Sequence, residues 1–111
     1  MPLERIPEVE PPAAAERIAA GAVALDVRED DEWEAGRILG ALHIPVGELG
    51  TRQSEIPREQ LIVAVCRSGS RSAAVTEALV RAGYTAENLA GGMKAWKAAG
   101  LPIEPHDGWI A

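Results

Sequence analysis

LIVAVCRSGSRSAAVTEALV, Leu61 to Val80, decides the fold. Leu61 to Val65 is an unbroken apolar run of strand length, the pattern of a strand buried on both faces. From about Ser72 to Arg81 the period changes. Ala74, Val75, Ala78, Leu79 and Ala82 fall at i, i+1, i+4, i+5 and i+8, one face of a helix that Gly83 closes. Strand, short turn and helix in succession form the repeating unit of a parallel α/β sheet, whose sites lie at the carboxyl ends of strands. Cys66 stands at such an end.

Outward from this segment the alternation repeats. Ile6 to Val9 reads as a first strand that Pro7 confines to an edge. Pro11-Pro12 opens a helix that ends at Gly21, and Ala22 to Val27 is a second buried strand. REDDEWEAG reads as a helix with an acidic start, ending at Gly36. Ala41 to Pro45 is a short strand, residues 46–60 a short helix and loop, residues 86–90 a last strand, and GMKAWKAAG a last helix capped by Gly100. The expectation is one domain over residues 1–111, with its core at about 5–105 and a short tail at 106–111.

Composition bounds the function. The chain has 11 basic and 17 acidic residues, a net charge of −6. Nucleic acid and anionic membrane both call for a basic surface, so neither is an expected partner. No apolar run approaches the roughly 18 residues that span a bilayer. The start, MPLERIPEVEPP, lacks the apolar stretch of a secretion signal, so the expected location is cytoplasmic. A site for anions would have to be a small positive island, and Arg67 and Arg71 are its candidates.

The chain has one cysteine, so no internal disulfide is expected. A lone cysteine in a strand is ordinarily a buried, inert residue. The neighbours of Cys66 argue otherwise. Gly69 can adopt positive φ and let successive backbone N–H groups converge, and the following helix adds unpaired N–H groups and its positive dipole end. Ser68 and Ser70 complete the turn, and Arg67 and Arg71 bracket it. All of these favour a thiolate, and cysteines so placed have pKa values of roughly 3.5–7.5. An anion-binding turn with a bystander cysteine is the alternative.

Four motifs, in order, resemble the rhodanese superfamily over about residues 20–105. ALDVRE (Ala24 to Glu29) is similar to the family's Asp-x-Arg segment, and GRILGALHIP (Gly36 to Pro45) to its Gly-His-Ile-x-Gly-Ala segment. CRSGSRS (Cys66 to Ser72) is similar to its active-site loop, and NLAGGMKAWKAAGLP (Asn88 to Pro102) to its closing Gly-Gly-x-x-x-Trp segment. The departures are Arg37 where the family commonly has His and Leu39 where it commonly has Pro, both at positions that brace the fold.

The resemblance implies an α/β fold with a five-stranded parallel sheet and helices on both faces. It implies a sulfurtransferase in which Cys66 carries sulfane sulfur as a persulfide, from a small anionic donor such as thiosulfate to a thiol or cyanide acceptor. Arg67 would face the donor's sulfonate and Arg71 would close the loop, with no metal and no organic cofactor. A protein sulfur donor or acceptor is a further candidate partner. Asp26 is expected to support the catalytic loop, with Arg28 forming a local ion pair to Glu32; residues 29–32 otherwise read as a solvated helix start. His43 is assigned a structural role, and Trp33 and Trp96 a place in the core or at the pocket rim.

Two other readings remain at this point. One is a sulfur-relay or protein-binding module without turnover. The other is a phosphatase, but that loop needs Cys-x5-Arg to cradle a phosphoryl group, whereas Cys66 and Arg71 are spaced Cys-x4-Arg. An arsenate reductase would need a resolving cysteine that the sequence does not contain.

Overall fold

In the buried strands every second side chain faces the same way, and this alternation divides the core into two layers. The computed structural model describes residues 6–111, so the reading of the first five residues lies outside the described part. Among the described residues, five parallel strands form one sheet: β1 (Glu8–Val9), β2 (Val23–Asp26), β3 (Leu42–His43), β4 (Ile62–Val65) and β5 (Ala86–Leu89), in the order β1-β5-β4-β2-β3. The helices are α1 (Pro11–Ala19), α2 (Asp30–Ala35), α3 (Leu49–Arg52), α4 (Ser70–Arg81) and α5 (Gly92–Ala98).

Leu25, Val27, Ile62, Ala64 and Cys66 turn to one face, where Val75 and Leu79 of α4 and Ile56 cover them. Ala24, Val63, Val65 and Leu89 turn to the other, against Ala14 of α1 and Met93 and Trp96 of α5. Both faces are therefore dry, which is why β2 and β4 read as continuous apolar runs rather than alternating ones. Cys66 extends the row of Ile62 and Ala64, so the sequence period alone directs its side chain to the α4 layer.

The edge strands β1 and β3 are two residues each, which limits the unpaired backbone they present. Strand β1 is shorter than the expected Ile6 to Val9. Pro7 has no N–H to give, yet its carbonyl still accepts the Asn88 N–H at 2.8 Å. The stretch after β3 is two 3-10 turns flanking α3, held by Arg52, whose guanidinium bonds Glu48 and Glu55. Helix α4 begins at Ser70, two residues before the expected start, because Gly69 takes φ +103° and turns the chain directly into the helix. That shift puts Arg71 and Ser72 in the first turn, where backbone N–H groups have no helical acceptor.

The tail is ordered onto the body. Arg37 and Glu104 pair as a short antiparallel bridge, and the Trp109 N–H donates to the Ala35 carbonyl at 3.0 Å. The Trp109 ring itself is 65% exposed. No helix among the described residues is long and apolar enough to cross a membrane.

Candidate active site

The loop from Cys66 to Gly69 joins β4 to α4 at the carboxyl end of the sheet, and its backbone, with the first turn of α4, faces two ways. Its carbonyls point back. Those of Cys66 and Arg67 accept the N–H groups of Met93 (2.8 Å) and Lys94 (3.0 Å) in the first turn of α5. This close approach requires Gly92, where a Cβ would lie 2.5 Å from both carbonyl oxygens and φ is +61°. With the carbonyls committed, the amides point forward. Gly69 N–H donates to Cys66 Sγ at 3.1 Å, and Ser72 N–H does so at 3.4 Å. The Ser72 hydroxyl is 3.2 Å from the same sulfur.

Two influences oppose each other at this thiol. Burial pushes its pKa up, since Cys66 has 0% of its surface exposed. The Ser72 hydroxyl and the backbone N–H groups of Ser72, Gly69 and Ser68 push it down, and they prevail: the pKa lies below the ordinary thiol value. A buried sulfur surrounded by donors favours the anionic form.

The two loop arginines are placed differently from each other. Arg71 forms a forked pair with Glu32 of α2, with both N···O distances 2.8 Å. That contact, with the Glu29 N–H, holds the Glu32 carboxyl at a pKa of about 2 against the effect of burial, and raises the pKa of Arg71. Arg67 is exposed at the other side, its Nε donating to the Ala111 carbonyl at 2.8 Å. Ser68 and Ser70 are exposed at the mouth of the loop. An apolar cleft of about 520 Å³ between α3 and α4, walled by Leu49, Ile56, Val75 and Leu79, ends on Arg71 rather than on the sulfur.

Several sequence expectations are corrected here. Arg28 does not pair with the Glu32 carboxylate. Its guanidinium is buried on Asp26, with Nη2–Oδ2 at 2.7 Å and Nε–Oδ1 at 2.9 Å, and its remaining donors reach the Gly36 and Glu32 carbonyls. The physical reason is burial: both residues lie at the end of β2 under α2, where an ion needs a partner of opposite charge and all its hydrogen bonds. Asp26 is consequently committed to Arg28 and supports the loop only indirectly. The chain of contacts runs from Asp26 and Arg28 to α2, and from Glu32 of α2 to Arg71. Nor is the acidic start of α2 wholly solvated, because the Glu32 side chain is 14% exposed. His43 does serve the scaffold: its Nε2 lies 2.7 Å from the Arg28 carbonyl and its ring stacks on Trp33. The Arg37 guanidinium lies over the Trp33 ring, 5.1 Å from its centroid. Trp96 is core, its Nε1 donating to the Pro102 carbonyl.

Ser72 and Asn88 were not among the sequence candidates for the site. Both are buried, and Asn88 bonds both Ser72 and the Gly69 carbonyl. A signal existed. Asn88 is the only asparagine of the sequence and sits in a strand, where asparagine is disfavoured unless its amide has buried partners.

Comparison with known proteins gives a consistent picture. The Rhodanese-like domain family matches residues 10–99 of the chain. A protein named Sulfurtransferase from Allochromatium vinosum is 40% identical over 85 residues, covering 76% of this chain and 79% of that protein. A thiosulfate sulfurtransferase of Actinobacillus succinogenes is 31% identical over 84 residues, covering 75% of this chain and 76% of its own. The crystal structure of a rhodanese-related protein from Thermoplasma volcanium superposes with a TM-score of 0.83 at 31% identity, over 87% of this chain and 96% of that one.

Proposed function

The chain belongs to the rhodanese-like domain family, and from that premise we propose that it is a single-domain cytoplasmic sulfurtransferase that carries sulfur on Cys66. The observation that carries the reading is the convergence of two backbone N–H groups and a hydroxyl on one buried sulfur. These donors favour the thiolate form of the nucleophile and remain in place for the negative charge that follows it onto a bound sulfur atom.

The proposed donor is thiosulfate or a similar small anion. The Cys66 thiolate attacks the sulfane sulfur, the sulfur–sulfur bond of thiosulfate breaks, and sulfite leaves with the bonding pair. Cys66 is left as a persulfide anion. A thiophilic acceptor then attacks the outer sulfur and releases the Cys66 thiolate; with cyanide the product is thiocyanate. The cycle is ping-pong and needs no metal or organic cofactor. Arg67 is assigned to the donor's oxygens, because it is the exposed cation beside the nucleophile, whereas Arg71 is committed to Glu32. Ser68, Gly69 and Ser70 supply the loop backbone around the bound sulfur.

Incubation of freshly reduced protein with thiosulfate is expected to add the mass of one sulfur atom, and cyanide to remove it, as read by intact-mass spectrometry. No adduct from any small sulfane donor would refute the enzyme reading. A second reading, a sulfur-relay module that receives sulfur from a protein persulfide, draws on one observation: the sulfur has no exposed surface. It predicts an adduct from a protein persulfide but negligible turnover with thiosulfate and cyanide.

A further inference from the structure

The amide of Asn88 has one chemically sensible orientation. Its nitrogen lies 3.0 Å from the Gly69 carbonyl, which can only accept, so the nitrogen must face it. The Asn88 oxygen therefore faces Ser72, 2.6 Å from its Oγ. That oxygen can only accept as well, and a contact this short needs a proton in it. Ser72 has one hydroxyl proton to give. Its Oγ is also 3.2 Å from Cys66 Sγ, and a thiolate there is a pure acceptor. These two acceptors, with the Gly69 carbonyl a more distant third at 3.4 Å, thus confront a single donor in a buried site, where Ser72 is 0% and Asn88 1% exposed.

We infer that Asn88 is a positioning residue for Cys66, acting by competing with the sulfur for the single proton of Ser72. With Cys66 as a thiol, the Ser72 proton lies on Asn88 and the hydroxyl oxygen accepts the S–H. When Cys66 becomes a thiolate, the hydroxyl turns to the sulfur and the Asn88 oxygen loses its buried partner. Asn88 thereby favours the thiol in the resting protein, while Ser72 favours the thiolate. In the sulfur-transfer cycle, which this inference takes from the proposed function, the same rotation would supply a donor whenever an acceptor expels the Cys66 thiolate.

The charged and titratable groups on the surrounding elements include Arg71, Glu77 and Arg81 of α4, Asp30, Asp31, Glu32 and Glu34 of α2, Asp26 of β2 with Arg28, His43 of β3, Arg67 of the loop, Glu87 of β5, and Lys94 and Lys97 of α5. The variants below leave all of them in place.

The pH midpoint of Cys66 alkylation by iodoacetamide, a neutral reagent, tests the competition in the full chain. Ser72→Ala is expected to raise the midpoint by about one unit. Asn88→Ala is expected to lower it by about half a unit to one unit, because the freed proton stays on the sulfur. Asn88→Leu, which fills the space, should shift it the same way and serves if the alanine variant does not fold. In a Ser72→Ala background, neither Asn88 substitution should shift the midpoint further. If Asn88 were only a brace for the Gly69 carbonyl, its removal would disorder the Gly69 N–H and raise the midpoint, the opposite sign. A raised or unchanged midpoint overturns the inference, as does a lowering that persists without Ser72. An unchanged or lowered midpoint for Ser72→Ala alone also overturns it. Sulfur loading by thiosulfate is read separately by mass, so failure of the sulfurtransferase reading leaves these shifts interpretable.

Discussion

A buried sulfur with a lowered pKa separates two properties that usually go together, ionisation and access. The loop N–H groups and the Ser72 hydroxyl make Cys66 a thiolate at a lower pH than an ordinary cysteine, whereas its 0% exposure keeps reagents away. The alkylation rate should therefore rise with a midpoint below the free-cysteine value of about 8.5 and level off at a plateau that depends on reagent size. Iodoacetamide should reach a plateau well above that of a bulky maleimide, relative to the rates of both with a small free thiol. Equal relative plateaus would mean that the loop opens widely in solution, and a midpoint at or above about 8.5 would mean that it does not activate the sulfur. Little of this competition was legible in the sequence. Gly69 and the helix after it signalled converging amides, but the contact that commits the Cys66 and Arg67 carbonyls comes from α5 through Gly92, twenty-six residues away in the chain.

Elements were legible where one period governed them, and misjudged where a partner from elsewhere in the chain decided the outcome. Strands β2 and β4 and helix α4 each follow from local hydrophobic pattern, with Gly69 starting α4 and Gly83 following its end. The pairings of α2 do not. Arg28 and Glu32 stand four apart, which suggests a partnership, but Arg28 belongs to the strand end and is drawn under the helix to Asp26. Glu32 is left free to reach Arg71, thirty-nine residues on. This tie between α2 and α4 carries a pH signature. The folded pKa of Glu32, about 2, lies below its unfolded value of about 4.3, so its contribution to stability is complete above pH 4.3 and is lost as pH falls through 2. Glu32→Gln should accordingly lower the urea midpoint at pH 7, and the gap from the wild type should close between pH 4.3 and 2. A gap that stays constant down to pH 2 would show that the glutamine lost packing rather than charge pairing.

At the scale of the whole molecule, the proposed donor and the protein repel each other. Thiosulfate is a dianion and the chain carries a net charge of −6, so catalysis on this donor needs local attraction that exceeds a distributed repulsion. Arg67 is placed to supply it. Its guanidinium is exposed beside the nucleophile, with its Nε on an oxygen of Ala111. Loss of one charge-assisted contact of about 1.5–3 kcal/mol should lower kcat/KM for thiosulfate by about 10- to 150-fold in Arg67→Ala. Taken alone, that loss would not distinguish charge from shape. Salt does so, because the diffuse repulsion acts on both proteins and largely cancels in their ratio, whereas the contribution of Arg67 is present in only one. The screening length falls from about 30 Å at 0.01 M to about 3 Å at 1 M. The wild-type to Arg67→Ala ratio of kcat/KM should therefore shrink steadily across that range, while the same ratio measured with an uncharged sulfane donor should stay near one throughout. A ratio for thiosulfate that is large but indifferent to salt would assign Arg67 a steric role in the loop, and a ratio near one at all salt concentrations would remove it from donor binding altogether.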